Sequence, residues 1–194
     1  MAQRLIRIFA LMDVSNDNEL YTHLVRRALN EHFNLTNEQI LYILTSDYTL
    51  DNTRQLSHTS GSSYGSEMIA YRPFAFSCLP AVQYFLQTNH KFMDDTDNDH
   101  ATVHGLTRND VECEFLRIFR LLDESGSGRL PYVDFCNALR NAPFHLTQRD
   151  IRIQCLECDH ANDSDEIDYE SEIPHFFNRF LLSAAFDKFD NEDV

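Results

Sequence analysis

Oxygen-bearing residues recur at regular places in one twelve-residue segment, 123–134. Its first, third, fifth, seventh and twelfth places could each present an oxygen to one cation, the seventh through its backbone carbonyl: Asp123, Ser125, Ser127, Arg129 and Asp134. Calcium takes about six to eight oxygen ligands, and a flexible loop with this spacing can wrap them around the ion. Gly128 at the sixth place permits the sharp turn that such a loop requires. The segment is therefore predicted to be a metal-binding loop.

The chemistry of this ligand set predicts weak binding. Only Asp123 and Asp134 carry negative charge, and calcium affinity falls with ligand charge, so we expect a dissociation constant on the order of 10⁻⁴ M or weaker. Asp134 is one methylene shorter than glutamate and would reach the ion with one oxygen, which suits the octahedral shell of magnesium. Ca²⁺ and Mg²⁺ are both candidate ions, and an ordered site is expected at this loop only.

The segment before this loop has a counterpart in the first half of the chain. The sequence Arg-Ile-Phe-x-Leu-Met-Asp at 7–13 matches Arg-Ile-Phe-x-Leu-Leu-Asp at 117–123. The matches continue along both halves: Leu20 with Leu130, Thr36 with Thr147, and Ile69-x-Tyr71 with Ile167-x-Tyr169. Such self-similarity indicates duplicated supersecondary units. We therefore predict two lobes, each built from two helix–loop–helix units.

Apolar residues recur every three or four positions in several segments, which predicts helices. The predicted helices span 3–12, 21–31, 36–46 and 71–88 in the first lobe, and 108–122, 132–141, 147–158 and 169–183 in the second. Thr36 and Thr147 are predicted N-caps, because their hydroxyls can accept hydrogen bonds from the first free N–H groups. The apolar eighth residues of paired loops should form short antiparallel bridges, Leu20 with Ile69 and Leu130 with Ile167.

The first loop has only part of a ligand set. Its first, third and fifth places hold Asp13, Ser15 and Asp17. Asn18 at the sixth place tolerates the left-handed conformation that the turn needs. Leu24 at the twelfth place supplies no oxygen. We therefore expect this loop to keep its shape without binding metal.

The second and fourth loops are more irregular. A Ser/Thr/Gly-rich insertion at about 48–66 interrupts the second loop and is predicted to be a mobile surface excursion or a clamp for a partner. The fourth loop lies within 159–172. With Ile167 in the eighth place, His160 is first and Ser171 twelfth; with Asp159 first, one residue is inserted. In both registers the set of oxygen ligands is incomplete, although the carboxylates could attract a divalent ion weakly.

Two further segments lie outside the predicted units. Residues 89–107 contain four aspartates and are predicted to be a solvated acidic linker; twelve residues from Asp95 put His100 where glycine belongs, so no metal loop is expected there. Residues 184–194 carry an apolar stripe, and the spacing Phe186-x-x-x-Asp190 repeats that found before the first and third loops. This tail is predicted to be a decayed fifth unit, a capping helix or a free attachment surface.

Composition excludes several classes of function. The net charge is −15, with 10 basic and 23 acidic residues in 88–194, which argues against nucleic acid and anionic membranes as partners. No apolar run is long enough to span a bilayer. Five cysteines without framework spacing predict reduced thiols in the cytoplasm. Cys155-x-x-Cys158 has no second pair for zinc and is interpreted as buried thiols. No catalytic signature is present, so the chain is predicted not to be an enzyme.

The loop at 123–134, the repeat and the paired eighth residues resemble those of the calmodulin-like superfamily of four-EF-hand proteins. The resemblance covers nearly the whole chain and implies an all-α fold of two EF-hand-pair lobes, 1–88 and 108–183, each with a short two-stranded bridge. It also implies a non-catalytic protein whose lobes clasp an amphipathic helix of a protein partner. The departures from the family's pattern, which argue against calcium switching, are the insertion, Leu24, Asp134 and Ser171.

Two functional hypotheses follow from the resemblance. The first is a structural or adaptor subunit of a larger cytoskeletal assembly, with a cilium or flagellum as the expected location, because divergent four-hand proteins are frequent there. The second is a calcium-responsive regulatory subunit that resembles calcineurin B-like or centrin-like proteins and works through the third loop. An enzyme fragment with a regulatory EF-hand module is a third alternative.

Overall fold

The chain is mostly helical, with two small antiparallel sheets. The computed structural model describes residues 1–46, 68–88, 90–92, 101–158 and 166–192, and the backbone of Thr53–Arg54. The chain divides into two compact units, Met1–Phe92 and Met93–Val194. This mostly helical architecture agrees with the predicted all-α class.

The first unit contains helices and three short strands. In chain order the elements are α1 (Ala2–Met12), β1 (Glu19–Tyr21), α2 (Thr22–Phe33), α3 (Asn37–Thr45), β2 (Thr53–Arg54), β3 (Met68–Ala70), α4 (Tyr71–Ser77) and α5 (Leu79–Thr88). The prediction of one helix over 71–88 is wrong, because the helix is interrupted at Cys78. Pro80 explains the break, since it has no N–H to donate to the preceding turn and its ring crowds that turn.

The second unit contains four helices and two strands within its described residues. They are α6 (Arg108–Leu122), β4 (Arg129–Pro131), α7 (Tyr132–Arg140), α8 (Gln148–Cys158), β5 (Glu166–Asp168) and α9 (Tyr169–Glu192). The predicted end of the last helix at 183 is wrong, because α9 continues without a break to Glu192.

Ion pairs hold the C-terminal part of α9 in place. The guanidinium of Arg149 on α8 lies 2.5 Å from Asp187 Oδ1 and 2.8 Å from Asp190 Oδ2. The Arg149 side chain is only 12% exposed, so these pairs are partly shielded from solvent. Phe186 on the same stretch is fully buried. The described part of 184–194 is therefore a packed continuation of α9, and the alternative of a free attachment surface is wrong.

Short strands pair the loops within each unit. Leu20 on β1 is opposite Ile69 on β3, and Leu130 on β4 is opposite Ile167 on β5. Both predicted pairings are confirmed. Strand β2 also pairs with β3, giving the order β1-β3-β2. Two residues of the predicted 48–66 insertion thus belong to a sheet, and its remaining residues lie outside the described part of the chain.

Reciprocal hydrogen bonds fix the starts of three helices. Thr36 Oγ1 accepts from the Gln39 N–H at 3.3 Å, while Gln39 Oε1 accepts from the Thr36 N–H at 3.0 Å. Thr147 and Asp150 make the same exchange at 3.0 and 2.7 Å. These capping boxes satisfy N–H groups that a helix start leaves without partners. Both predicted N-caps are confirmed, and Thr107 forms an equivalent box that was not predicted.

The ends of the predicted 89–107 linker pack against the units that they join. The Phe92 ring stacks on Tyr42 with centroids 5.3 Å apart. In the second unit, Val103 is buried in the core, and His104 Nε2 lies 2.9 Å from Asp150 Oδ2. The expectation of a solvated linker is therefore wrong at both ends. Its aspartates lie outside the described residues.

Aromatic rings dominate the core of the second unit. Seven phenylalanines from α6, α7 and α9 are at most 1% exposed: Phe115, Phe119, Phe135, Phe176, Phe177, Phe180 and Phe186. Phe176 meets Phe115 edge to face, with centroids 5.0 Å apart and planes at 73°. This arrangement is preferred because the positive ring edge faces the negative ring face. The rings fix the helices that carry the third loop. Within the described residues, no helix is both long and apolar enough to cross a bilayer.

Replacing Phe176 tests this core. We expect Phe176→Ala to lower the free energy of unfolding by about 3–5 kcal/mol, because it leaves a cavity among four other rings. Urea unfolding followed by circular dichroism measures the change. Leu121→Ala, at a side chain that is 70% exposed, is the control and should change stability by less than about 0.5 kcal/mol. Equal effects from the two variants would contradict the described packing.

Candidate metal site

The backbone of the third loop has the shape that a cation site needs. Asp123 follows the last residue of α6, and its N–H donates to the Phe119 carbonyl. Gly126 and Gly128 have positive φ angles of 66° and 77°. A side chain is strained in this left-handed region, so glycine is the residue suited to both places. The loop then enters β4, which pairs with β5.

The Asp123 carboxylate organises the loop. Its Oδ1 accepts from Ser125 Oγ at 2.7 Å and from the Ser127 N–H at 3.2 Å. Its Oδ2 accepts from the Gly128 N–H at 2.7 Å and from the Tyr169 hydroxyl at 3.0 Å. The hydrogen bond from Ser125, followed by those from the loop N–H groups, holds the pKa of Asp123 well below its ordinary value despite its burial. The carboxylate is therefore charged at neutral pH.

Four of the five predicted ligand oxygens lie together. Ser127 Oγ is 3.5 Å from Asp123 Oδ1 and 3.4 Å from the Arg129 carbonyl oxygen, and Ser125 Oγ contacts the same Asp123 oxygen. These hard oxygens are suited to Ca²⁺ or Mg²⁺. The serine hydroxyls donate to Asp123, so each must turn a lone pair toward an ion that binds.

Asp134 is the predicted ligand that is not joined to the others. It lies in the first turn of α7 and is exposed. Within the described part of the chain, no hydrogen bond or ion pair connects its side chain to the other four. Its carboxylate is stabilised there by the free N–H groups of the helix start. A bound ion would have to draw this side chain in, which agrees with the weak affinity expected from the sequence.

The first loop has the same geometry without the last ligand. Asn16 and Asn18 have φ angles of 57° and 67°, at the fourth and sixth places that Gly126 and Gly128 hold in the third loop. Asn18 was predicted to take this conformation, and this is confirmed. Leu24, half-buried in α2, supplies no oxygen.

The Asp13 carboxylate supports this loop as Asp123 supports the third. It accepts from Ser15 Oγ at 3.2 Å, the Asn18 N–H at 2.9 Å and the Tyr71 hydroxyl at 3.3 Å. Burial alone would raise the pKa of Asp13, but these hydrogen bonds outweigh it and lower the pKa below the ordinary value. The loop is thus closed by its own side chains.

A tyrosine that follows the paired strand of the same unit closes each of these loops. Tyr71 starts α4 and Tyr169 starts α9, and each is 2% exposed. Burial, and then the neighbouring aspartate, raises the pKa of both hydroxyls, so they are neutral donors. Both tyrosines are repeat positions in the sequence, but this role was not predicted. A tyrosine two residues after each bridging isoleucine was the available signal.

Within the described residues, the fourth loop and the Cys155-x-x-Cys158 pair contain no complete set of metal ligands. Residues 159–165 of the fourth loop lie outside the described part. Ser171, predicted at its twelfth place, donates its hydroxyl to the Asp168 carbonyl at 2.9 Å as a local helix-start contact. Cys155 and Cys158 are buried as predicted. Among the described residues, no three His, Cys, Asp or Glu side chains are placed to hold a metal, so a third-loop ion would rely on the Asp123 carboxylate together with hydroxyl and carbonyl oxygens.

A groove lies beside the third loop. It has a volume of about 300 Å³ and runs between α6 and α7. Its lining is mostly apolar along α6 and mostly polar along α7: Arg117, Ile118, Leu121, Leu122, Asp134, Asn137, Ala138 and Asn141. Leu121 and Leu122 are 70% and 47% exposed. Asp134 therefore belongs both to the predicted ligand set and to the wall of this groove.

Comparisons of the chain with models of protein families, with curated proteins and with solved structures found no match. Its function is therefore inferred from its own residues.

A calorimetric titration tests the third loop. We expect weak heat with Ca²⁺ or Mg²⁺, with a dissociation constant on the order of 10⁻⁴ M or weaker. Asp123→Ala should abolish it. Asp134→Glu should strengthen calcium binding, because the longer side chain can bind with two oxygens. Asp13→Ala is the control and should leave the heat unchanged. Heat lost in the control but kept in Asp123→Ala would place the ion elsewhere.

The pH dependence of stability tests the Asp123 network. Its pKa is lower in the folded state than the ordinary 3.8, so its contribution is fully present above that value and is lost as the pH falls below it. Asp123→Asn should therefore be less stable than the parent at pH 7. The difference should narrow as the pH falls below about 4. Urea unfolding at a series of pH values measures this, and a constant difference would contradict the network.

Proposed function

We propose that this chain is a calmodulin-like protein with two pairs of EF-hands that acts as a non-catalytic structural or adaptor subunit. In this role its lobes clasp a helical segment of a larger cytoskeletal assembly. The observation that carries the proposal is the repeated loop closure. Asp13 and Asp123 each accept a hydrogen bond from the N–H at the sixth place of their own loop. Each also accepts one from the hydroxyl of a tyrosine that follows the paired strand.

This closure supports action that does not depend on calcium. A metal switch requires an ion that binds two conformations with different affinity. In the first loop, Leu24 removes a ligand while the Asp13 hydrogen bonds preserve the shape. In the third loop, the Asp123 carboxylate accepts hydrogen bonds from the loop's own hydroxyl and N–H groups and from Tyr169, and these bonds hold the turn.

The groove between α6 and α7 supports a helical partner. Its exposed leucines provide an apolar strip beside polar α7, which suits the apolar face of an amphipathic helix. Three lining residues, Arg117, Ile118 and Leu121, repeat the types at 7, 8 and 11 on α1, and Leu122 corresponds to Met12. Leu11 on that helix is 83% exposed. A repeated exposed apolar position favours binding over the isolated exposure that is ordinary on protein surfaces.

Charge favours a basic partner. Residues 88–194 carry 10 basic and 23 acidic side chains. An amphipathic helix with lysine or arginine beside its apolar face would therefore be attracted to this unit and oriented on it. The cytoskeletal location, in a cilium or flagellum, rests on the resemblance to divergent four-hand proteins.

A calcium-responsive regulatory subunit of calcineurin B-like or centrin-like type is the second candidate. It is favoured by the four oxygens gathered from Asp123, Ser125, Ser127 and Arg129. Asp134 lines the groove as well, so an ion that recruits it would act directly on the partner surface. The two candidates differ in whether the partner stays bound without metal.

Affinity purification with crosslinking, in calcium and in chelator, separates them. The adaptor proposal predicts a stoichiometric partner in both conditions, with crosslinks between a basic helix and α6 or α7. Leu121→Glu should reduce recovery at least about tenfold, because it places charge in the apolar strip. Leu86→Glu, at an exposed leucine of α5, is the control and should retain the partner.

Two other outcomes would count against the adaptor proposal. A partner that is lost in chelator and in Asp123→Ala would favour the calcium-responsive candidate. A monomer without a stable partner in both conditions would contradict the adaptor proposal.

A further inference from the structure

Two buried thiols in the second unit lie close together. Cys136 Sγ on α7 and Cys155 Sγ on α8 are 2.7 Å apart, and the residues are 4% and 8% exposed. Neither cysteine is in a disulfide. A disulfide bond measures about 2.05 Å, so a small movement would bring the sulfurs to bonding distance. The two cysteines are 19 residues apart in sequence, and this pairing therefore depends on tertiary packing.

The neighbouring cysteines have different surroundings. Cys158 Sγ lies 3.4 Å from Glu172 Oε2 and 3.5 Å from Arg179 Nη1, on the α9 side of α8. Cys155 instead contacts α7, although the two share a Cys-x-x-Cys sequence. Cys113 on α6 is exposed. The packing thus selects Cys136, and not its sequence neighbour, as the partner of Cys155.

We propose that Cys136 and Cys155 are a redox modification site that forms a reversible disulfide with a peroxide-class oxidant. One thiol attacks hydrogen peroxide, giving a sulfenic acid and one water. The second thiol displaces the hydroxyl of the sulfenic acid, forming the S–S bond and releasing a second water. The peroxide is reduced by two electrons and the two thiols are oxidised by two. A dithiol reductant reverses the step by exchange.

The oxidation is slow but specific for the Cys136–Cys155 pair. The hydrogen bond with Cys136, and then burial, raise the pKa of Cys155, and the thiolate is the reactive form. Reaction therefore requires a local opening of α7 against α8. Once one sulfur is oxidised, the second is held beside it, so closure outcompetes over-oxidation. The exposed Cys113 has no such partner among the described residues.

The disulfide would join α7, the helix that carries the candidate metal ligand Asp134, to α8. Cys136 lies two residues after Asp134 and one before Asn137, and both of these line the groove beside α6. Joining α7 to α8 restrains the opening of α7 and constrains the unfolded chain. Oxidation would thereby stabilise the third loop and the groove together.

Peptide mapping tests the proposal on the full chain with Cys113→Ser, which removes the exposed thiol. The reduced protein is treated with hydrogen peroxide, blocked, digested with trypsin and analysed by mass spectrometry. Arg140, Arg149 and Arg152 place cleavage sites between Cys136 and Cys155, so their disulfide joins two peptides. A disulfide between Cys155 and Cys158 would remain within one peptide.

The expected result is the joined peptide pair, lost after dithiothreitol, with a Tm raised by at least about 5 °C. Cys158→Ser should keep the crosslink, and Cys136→Ser should abolish it. Should Cys136→Ser fail to fold, the mapping of the parent decides alone. A Cys155–Cys158 disulfide, sulfinic acids without a crosslink, or intact thiols at saturating peroxide would each overturn the proposal.

Discussion

A hydrogen bond between a buried tyrosine and a buried aspartate joins the paired loops in each unit. Tyr169 reaches Asp123 across 46 residues of sequence, and Tyr71 reaches Asp13 across 58. The carboxylate also fixes its own loop, so one group sets both the local turn and the contact between the two paired loops of the same unit. The strand pairs connect the same loops, and in the second unit the aromatic core holds the helices that flank them.

The same contact explains how related loops can keep one shape with different chemistry. The left-handed places are filled by glycines in the third loop and by asparagines in the first. The hydrogen bonds of the aspartate hold the turn in both loops, although the twelfth place is Leu24 in the first loop and Asp134 in the third. The same hydrogen bonds gather four oxygens of the third loop at the place where the sequence predicts a weak metal site.

The sequence predicted those features that local chemistry determines. The loop spacing, the Thr36 and Thr147 caps and the two strand pairings follow from residue types at fixed intervals. The helix break at Cys78 could also have been predicted, since Pro80 has no N–H to donate. The apolar stripe of 184–194 indicated a helix as one alternative, but its continuity with α9 was not predicted, and its ion pairs involve Arg149 of another helix. The approach of Cys136 to Cys155, the packing of Phe92 and the tyrosine contacts likewise arise only from tertiary structure.

Amide hydrogen exchange in the presence of a chelator tests most directly whether the loops are closed without metal. The structure predicts that the amides of the β1–β3 and β4–β5 pairs are protected in chelator and that added calcium changes their exchange little. Rapid exchange at both pairs in chelator, with protection restored by calcium, would contradict the account. The protein would then depend on an ion for the closure assigned here to Asp13, Asp123 and their tyrosines.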